Sequence, residues 1–287
     1  MSEQKTPQKA APIVKWAGGK RQLESQILEV IEPIFNRETA TYFEPFFGGG
    51  AIFYALEPKR AYISDINSGL INLYNDVKAN LDGLKSELLK FEVFYNQLPS
   101  LDEKSNMYYV NREVFNTQER VGIEQSARFI FLNKAGFNGL YRENSKGGYN
   151  IPFGKRMSLK LSSDSNLDSV SELLASVDVQ CSSYEAIEGL AKAGDLVYLD
   201  PPYLPLFESS FTSYHKSGFG YSDQVALSDL CKRLVAAGVH VVVSNSSNEK
   251  LNDLYKGFNI RELEASRAIS ASVAGRAKVQ EFLITSF

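Results

Sequence analysis

Thr41-Tyr42-Phe43-Glu44-Pro45-Phe46-Phe47-Gly48-Gly49-Gly50 decides how this 287-residue chain is read. The first seven residues, mostly aromatic or apolar, read as a strand. Three glycines turn the chain, and a short helix runs on to Leu56. Strand, glycine turn and helix in that order make the frame of a nucleotide-type site. A second strand, Arg60 to Ile63, runs into Asp65. An acidic residue there is placed to hold ribose hydroxyls. The dinucleotide pattern G-x-G-x-x-G fails, however, because Phe53 stands where its last glycine should be. A glycine turn and a ribose acid without the pyrophosphate fingerprint fit a mononucleoside cofactor such as S-adenosylmethionine. A plain strand-to-helix turn is the other reading of these glycines.

The remainder of the chain alternates strands and helical patterns, which points to an α/β protein. Upstream, Leu23, Ile27 and Ile31 recur every four residues, so a helix is expected from about Arg21 to Ile31. Downstream, Asn67-Ser68 can cap a helix from Gly69 to about Asn80. The pattern then stays helical to about Leu132, with Leu84, Leu88, Phe91 and Tyr95 on one face. Residues 137–154 are rich in turn residues and aromatics and read as a β-hairpin with Gly-tipped connections. Strands are expected again at Val177–Cys181, Leu196–Leu199, Val239–Ser244, Phe258–Glu262 and Val279–Thr285. Helices are expected over Ser222–Ala236 and Asn248–Tyr255. Residues 1–67 and 163–287 thus form a sheet-bearing domain, and residues 68–162 an inserted one. Leu204 to Tyr221, long and rich in Ser, Gly and Phe, reads as a functional lid.

Composition narrows the function classes. No apolar run reaches transmembrane length, and Met1–Ala11 is a polar tail without a signal-peptide core, so a cytoplasmic protein is expected. Two cysteines and two histidines build no disulfide framework and no metal centre. Net charge is −3, but it is unevenly spread. Arg128, Lys134, Arg142, Lys146, Lys155, Arg156 and Lys160 face only Glu143 in their segment, which carries +6 and leaves −9 elsewhere. A basic stripe on an acidic body suits a phosphate-bearing partner, and a solvated loop face is the bland alternative.

Asp200-Pro201-Pro202-Tyr203 follows the apolar run Leu196–Leu199. The prolines fix φ and remove two backbone donors, so the loop is stiff and the Pro201 carbonyl is kept out of a helix. A carboxylate, a carbonyl and an aromatic ring on one rigid turn suit a flat, amino-bearing ring. Trp16-Ala17-Gly18-Gly19-Lys20 is not a P-loop, for it lacks the spacing between glycines and Arg21 replaces the Ser or Thr. It reads as backbone close to a ligand, with an aromatic platform and a cation suited to a carboxylate.

These stretches occur together in the order seen in DNA adenine-N6 methyltransferases of the Dam type. The resemblance is carried by Lys15–Lys20, Phe43–Gly50, Asp65-Ile66-Asn67 and Asp200–Tyr203. It extends to Asn138–Arg142, Asn150–Gly154, Phe211–Tyr214 and Ser244-Asn245. It covers nearly the whole chain after Pro12. It implies the S-adenosylmethionine-dependent methyltransferase fold: a mixed, mostly parallel seven-stranded sheet flanked by helices, with an inserted helical and hairpin target-recognition domain. It implies methyl transfer from S-adenosylmethionine to N6 of adenine in duplex GATC. By matching positions, Trp16, Lys20, Phe46, Gly48, Asp65, Ser183, Tyr184 and Asp200 would line the cofactor. Lys20 would take its carboxylate and Asp65 its ribose. Asp200, Pro201 and Tyr203 would hold the target adenine, which must leave the base stack to be reached. Phe137 and Asn138 would fill the gap it leaves. Arg142 would contact guanine, Leu140 and Pro152 would touch bases by shape, and Lys155 completes the DNA set. The partners implied are double-stranded DNA and, within a restriction–modification pair, a separately acting restriction endonuclease. A monomer is expected.

Three positions depart from the pattern. Phe137 stands where some members have tyrosine, Lys155 where others have arginine, and Ser183-Tyr184 where many methyltransferases place an acid. Other chemistries fit less well. Cytosine-C5 methylation needs a cysteine nucleophile after proline, but Cys181 and Cys231 follow Gln180 and Leu230 and read as core. Cytosine-N4 methylation shares the mechanism, but its motif usually opens with serine. A non-enzymatic DNA-binding protein would not need Lys20, Gly48 and Asp200.

Overall fold

The computed structural model describes residues 9–162, 165–203, 219–265 and 279–287. Residues 1–8 of the expected tail, the Phe211–Tyr214 stretch and most of the expected lid lie outside these residues; Ala10 is buried, and Ala11 exchanges hydrogen bonds with Asn166.

Seven strands form one mixed sheet: β1 (Tyr42–Glu44), β2 (Ala61–Asp65), β3 (Val177–Cys181), β4 (Leu196–Leu199), β5 (His240–Ser246), β6 (Asn259–Ala265) and β7 (Val279–Thr285). Their order is β3-β2-β1-β4-β5-β7-β6. β1 pairs in parallel with β2 and β4, and β4 with β5, while β7 runs antiparallel between β5 and β6. β1 and β4 are buried at every position and β5 at all but its first. Strands buried on both sides are what a parallel sheet covered on both faces requires, and here they carry the buried polar side chains of Glu44, Ser244, Asn245 and Ser246 as well as apolar ones. β3 instead alternates buried and exposed at its start, as an edge strand does.

The chain divides into two compact units. One comprises Lys20–Phe47, Ala55–Ser64 and Ser182–Phe287. It holds most of the sheet, α1 (Glu24–Ile31), α8 (Tyr221–Ala236) and α9 (Lys250–Leu254). Its core joins Val197, Leu199, Val241 and Val243 of the strands to Leu227, Leu230, Cys231 and Leu234 of α8. The helical period that set those residues on one face is legible in the sequence.

The other unit comprises Met1–Gly19, Gly48–Tyr54 and Asp65–Cys181. Most of α2 (Ala51–Leu56) belongs to it. It carries α3 (Ser68–Ala79), α4 (Leu81–Gln97), α5 (Leu101–Thr117), α6 (Ile123–Ala135) and α7 (Asn166–Leu174). Asn67 caps α3 by accepting the Leu70 N–H, as its sequence position suggests. Ser100 and Glu103 form a reciprocal capping box on α5. In α4, Leu84, Leu88 and Tyr95 are fully buried, and Phe91 stacks on Phe131 of α6.

The hairpin expected over residues 137–154 is a long antiparallel loop pinned by two isolated bridges, Gly136 to Phe153 and Glu143 to Tyr149. Helix α5 explains how it keeps its shape. Tyr108, Arg112 and Asn116 stand four residues apart on one face of that helix. Tyr108 and Arg112 both donate to the Ile151 carbonyl, at 2.9 and 3.1 Å. Asn116 brackets Tyr149, donating to its carbonyl at 3.0 Å and accepting its N–H at 2.7 Å. The loop spends its backbone groups on helix side chains instead of on a ladder.

Candidate functional site

Two clusters and one loop gather the residues singled out in the sequence. The first cluster is the glycine turn. Asp65 ends β2, and its carboxylate accepts the Gly48 N–H at 3.0 Å and the Asn67 N–H at 2.9 Å. Burial pushes its pKa up, and these backbone donors pull it back. Tyr74 of α3 donates to the Gly48 carbonyl at 3.2 Å. Gly48 has φ +48, and a Cβ there would lie 2.6 Å from the Trp16 ring. The first glycine of this turn therefore has to be bare for the indole to lie against it. Trp16 in turn stacks on Tyr141, with centroids 4.6 Å apart, and Tyr141 stacks on Phe129 at 5.0 Å.

Tyr141 carried no role in the sequence reading, yet it is central to this unit. Its hydroxyl accepts from Asn67 and from Arg120, each at 3.0 Å, and donates to Glu143. Asn133 of α6 brackets the Lys15 backbone in the same manner, which fixes the segment that delivers Trp16.

The second cluster lies at the end of β4. Asp200 pairs with Lys20, Oδ1 to Nζ 2.8 Å. Lys20 is only 5% exposed, and its ammonium stands 4.7 Å over the Tyr203 ring. The Tyr203 hydroxyl donates to Glu281 Oε2 at 2.5 Å, and that carboxylate is 3.9 Å from Lys20. Burial raises the Asp200 pKa; the Lys20 charge opposes this. Burial also raises the Tyr203 phenol, so it remains a donor at neutral pH. Pro201 is buried. Gln224 of α8 donates to the Pro202 carbonyl at 3.0 Å, and Asn245 of β5 holds Gln224 in place at 3.0 Å. The loop is thus clamped by α8 and β5 as well as stiffened by its prolines. Beside it in the same unit, Phe46 stacks on Tyr184 at 5.2 Å, and Phe219 meets both edge-on. Ser183 donates to Glu185 at 2.6 Å, so an acid does stand next to the position where the pattern lacks one.

The loop 137–155 presents the third group. Phe137, Asn138, Arg142, Pro152 and Lys155 are exposed and Leu140 half-buried. Asn138 and Lys155 have φ of 56 and 53, sparsely populated for residues with a side chain. Such strain collects at functional loops when the surroundings over-determine the backbone. The Asn138 turn is held by the Phe137 N–H donating to the Pro152 carbonyl at 2.8 Å. Arg142 donates to Asn150 at 2.8 Å, which aims its guanidinium. Of the seven basic residues of the stripe, Arg142, Lys146, Lys155, Arg156 and Lys160 are exposed. Arg128 and Lys134 are half-buried, and Arg128 serves Asn111 and Gln125 inside the unit. Cys231 is buried as expected. Cys181 is exposed at the end of the edge strand, where the sequence reading expected core.

The family model for D12 class N6 adenine-specific DNA methyltransferases matches residues 16–269. The chain belongs to that family. The methyltransferase is 39% identical over 283 residues to the type II methyltransferase M1.LlaDCHI of Lactococcus lactis subsp. cremoris, covering 96% of this chain and 95% of that protein. It is 39% identical over 288 residues to the type II methyltransferase M.MjaIII of Methanocaldococcus jannaschii, covering 96% and 99%. It is 34% identical over 277 residues to a DNA adenine methylase of Vibrio cholerae, covering 96% and 95%. The enzyme is therefore an adenine-specific DNA methyltransferase, and its family uses S-adenosylmethionine as methyl donor. Each unit offers groups of a kind that cofactor takes: in one a carboxylate at a glycine turn beside an indole, in the other a buried ammonium and stacked aromatic rings. Among the described residues no group of His, Cys, Asp and Glu could hold a metal ion, and no helix is long and apolar enough to cross a membrane.

Proposed function

We propose that the enzyme methylates adenine N6 within GATC in duplex DNA, acting in the cytoplasm on a base turned out of the helix. The observation that carries this reading is the loop 137–155, which offers outward the residues matched to the Dam-type readout set on a backbone fixed by α5. Asp65 would take the cofactor's ribose hydroxyls, with Gly48 and Trp16 beside them. Phe46 and Tyr184 would flank its adenine, with Ser183 nearby. An ammonium carries three donors, so Lys20 can serve Asp200 and the cofactor's carboxylate together. The bound cofactor supplies a methyl group already activated by its positive sulfur.

The chain's own residues deal with the poor nucleophile. The N6 lone pair is spread into the adenine ring. The Asp200 carboxylate and the Pro201 carbonyl would accept the two N6 hydrogens, which draws the nitrogen toward tetrahedral geometry and localises the lone pair. Asp200 acts here as an acceptor held in place, and most of the gain comes from positioning. The Tyr203 ring would stack on the base. Base extrusion costs a few kcal/mol, and Tyr203 stacking with Phe137 and Asn138 in the vacated gap would offset it.

Labelled methyl transfer to duplexes carrying GATC and each single-base variant, followed by identification of the modified base, tests the reading. N6-methyladenine confined to GATC is expected; equal transfer to the variants, or N4-methylcytosine, overturns it. In the same assay Arg142→Ala should relax discrimination by about 1–3 kcal/mol, read as turnover on near-cognate duplexes. Unchanged discrimination would remove Arg142 from the readout set. Five exposed cations on the stripe lead to a log–log salt slope of about −4 to −5 for DNA binding, and a flat response would show that the stripe is not the DNA face. The two type II relatives support a setting in which a separate restriction endonuclease acts on the same site.

A further inference from the structure

We propose that Glu281 is a positioning residue of the methyl-transfer site, holding Tyr203 and Lys20 in place around Asp200. The inference rests on the adenine-binding role given above to Asp200 and Tyr203, and it assigns work to a side chain that the reading leaves unused.

Three contacts define it. The Glu281 carboxylate, on β7, accepts the Tyr203 hydroxyl at 2.5 Å. It lies 3.9 Å from the Lys20 ammonium. Lys20 in turn pairs with Asp200 at 2.8 Å and sits over the Tyr203 ring. Two carboxylates therefore share one ammonium in a half-buried group.

The sharing matters because Asp200 is asked for two things at once. A carboxylate bound to an ammonium spends negative charge on it and becomes a weaker acceptor for an amino group. A second carboxylate beside the same ammonium takes part of that attraction and leaves more of the Asp200 charge for the base. The hydrogen bond to Tyr203 does the second half of the work. A phenol whose hydroxyl is tied cannot rotate away, so the ring stays where a flat base can stack on it. The remaining groups near Asp200 do not substitute for Glu281. Tyr198 of β4 bonds to Ser244, and Tyr42 of β1 donates to Glu44 on the same strand.

The experiment is single-turnover methyl transfer to a GATC duplex across pH, with wild type, Glu281→Gln and Glu281→Asp. Glutamine keeps an oxygen for the Tyr203 hydroxyl and removes the charge. Glu281→Gln should slow transfer on the order of tenfold while KM for the cofactor changes less than about threefold. Asp200 must be ionised to accept, and loss of the neighbouring negative charge lowers its pKa, so the acid limb should move to lower pH, by about half a unit or more. Glu281→Asp, which keeps the charge, should bring the limb back toward wild type. The limb's position reports only folded enzyme, so poor yield of a variant does not mask it. An unmoved limb with a wild-type rate in Glu281→Gln overturns the proposal. A rate loss whose limb stays put overturns it too, because that is a packing effect alone. Absence of transfer by wild type would instead strike the functional reading on which the proposal rests.

Discussion

Asp200→Ala is expected to abolish methyl transfer, with a rate loss of at least about a thousandfold, or roughly 4 kcal/mol of barrier, and to leave DNA binding within a small factor of wild type. The loss follows from what the side chain does. It is the carboxylate of the stiff Asp200–Tyr203 loop after β4, and in the proposed mechanism removing it takes away the acceptor for an N6 hydrogen. It also takes the 2.8 Å partner from the Lys20 ammonium, which is 5% exposed and lies 3.9 Å from Glu281. In the proposed mechanism that is a positive charge set where the amino group would dock, and it would repel a base beginning to carry positive charge at N6. Breaking a buried pair by removing one partner costs about 3–5 kcal/mol when the other charge has nowhere to go. Asp200→Asn keeps the shape and gives the ammonium a weaker partner, and it should lose nearly as much activity at lower cost in stability. DNA binding should survive both changes, because the exposed cations and the loop 137–155 are held by α5 and α6 and not by Asp200. Labelled transfer, with anisotropy of a fluorescent duplex as the control, checks the pair. Near-normal turnover in either variant would sink the role given to Asp200.

How much of this was readable without coordinates depends on how far apart the partners lie in the chain. The strands were legible because each carries a short apolar or alternating run, and β3, β4 and β7 begin and end where the pattern placed them. The glycine turn, Asp65 and the Asp200–Tyr203 loop were legible because each is local: turn, acid and ring stand within a few residues. The Asn67 cap was readable for the same reason. Glu281 was not, since its partner Tyr203 is 78 residues away and nothing about a glutamate in an apolar strand names a tyrosine. Gln224 and Asn245 belong to the same class. The place of Tyr141 is not legible in its motif, because the rings that sandwich it come from residues 16 and 129. Helix α7 has no expectation in the sequence; its N-cap, Ser165, is a residue type that starts helices, but its side chain accepts no capping N–H. The ion pair of Lys20 with Asp200 joins two motifs that the sequence displays separately.

Gly154→Ala is the second change expected to have a large effect. Gly154 closes the loop 137–155, which the proposed function gives the reading of DNA. Its N–H donates to the Ala135 carbonyl at 2.8 Å, beside the bridge between Gly136 and Phe153. A Cβ at Gly154 would lie 2.6 Å from the Gly136 oxygen and 2.7 Å from the Ala135 oxygen. Both are backbone atoms at the end of α6, and Ala135 and Gly136 are themselves buried, so neither can swing aside as a side-chain tip would. The added methyl can be accommodated only by lifting the strand 150–154 off the helix end. That breaks the Gly154 hydrogen bond and loosens the Phe137 bond to the Pro152 carbonyl, which sets the Asn138 turn. Forcing an extra carbon into a packed site costs about 1–3 kcal/mol or more, and each lost backbone hydrogen bond adds about 1 kcal/mol. The urea midpoint should therefore fall, and specific DNA affinity should drop more than non-specific affinity, because the exposed cations survive while the base-reading geometry does not. The Asp200 cluster, held by Gln224 and Asn245, should keep its form, so residual transfer would spread over near-cognate duplexes. A Gly154→Ala enzyme with wild-type stability and unaltered discrimination would show that the loop bends freely, and that its fixed backbone is not what reads the site.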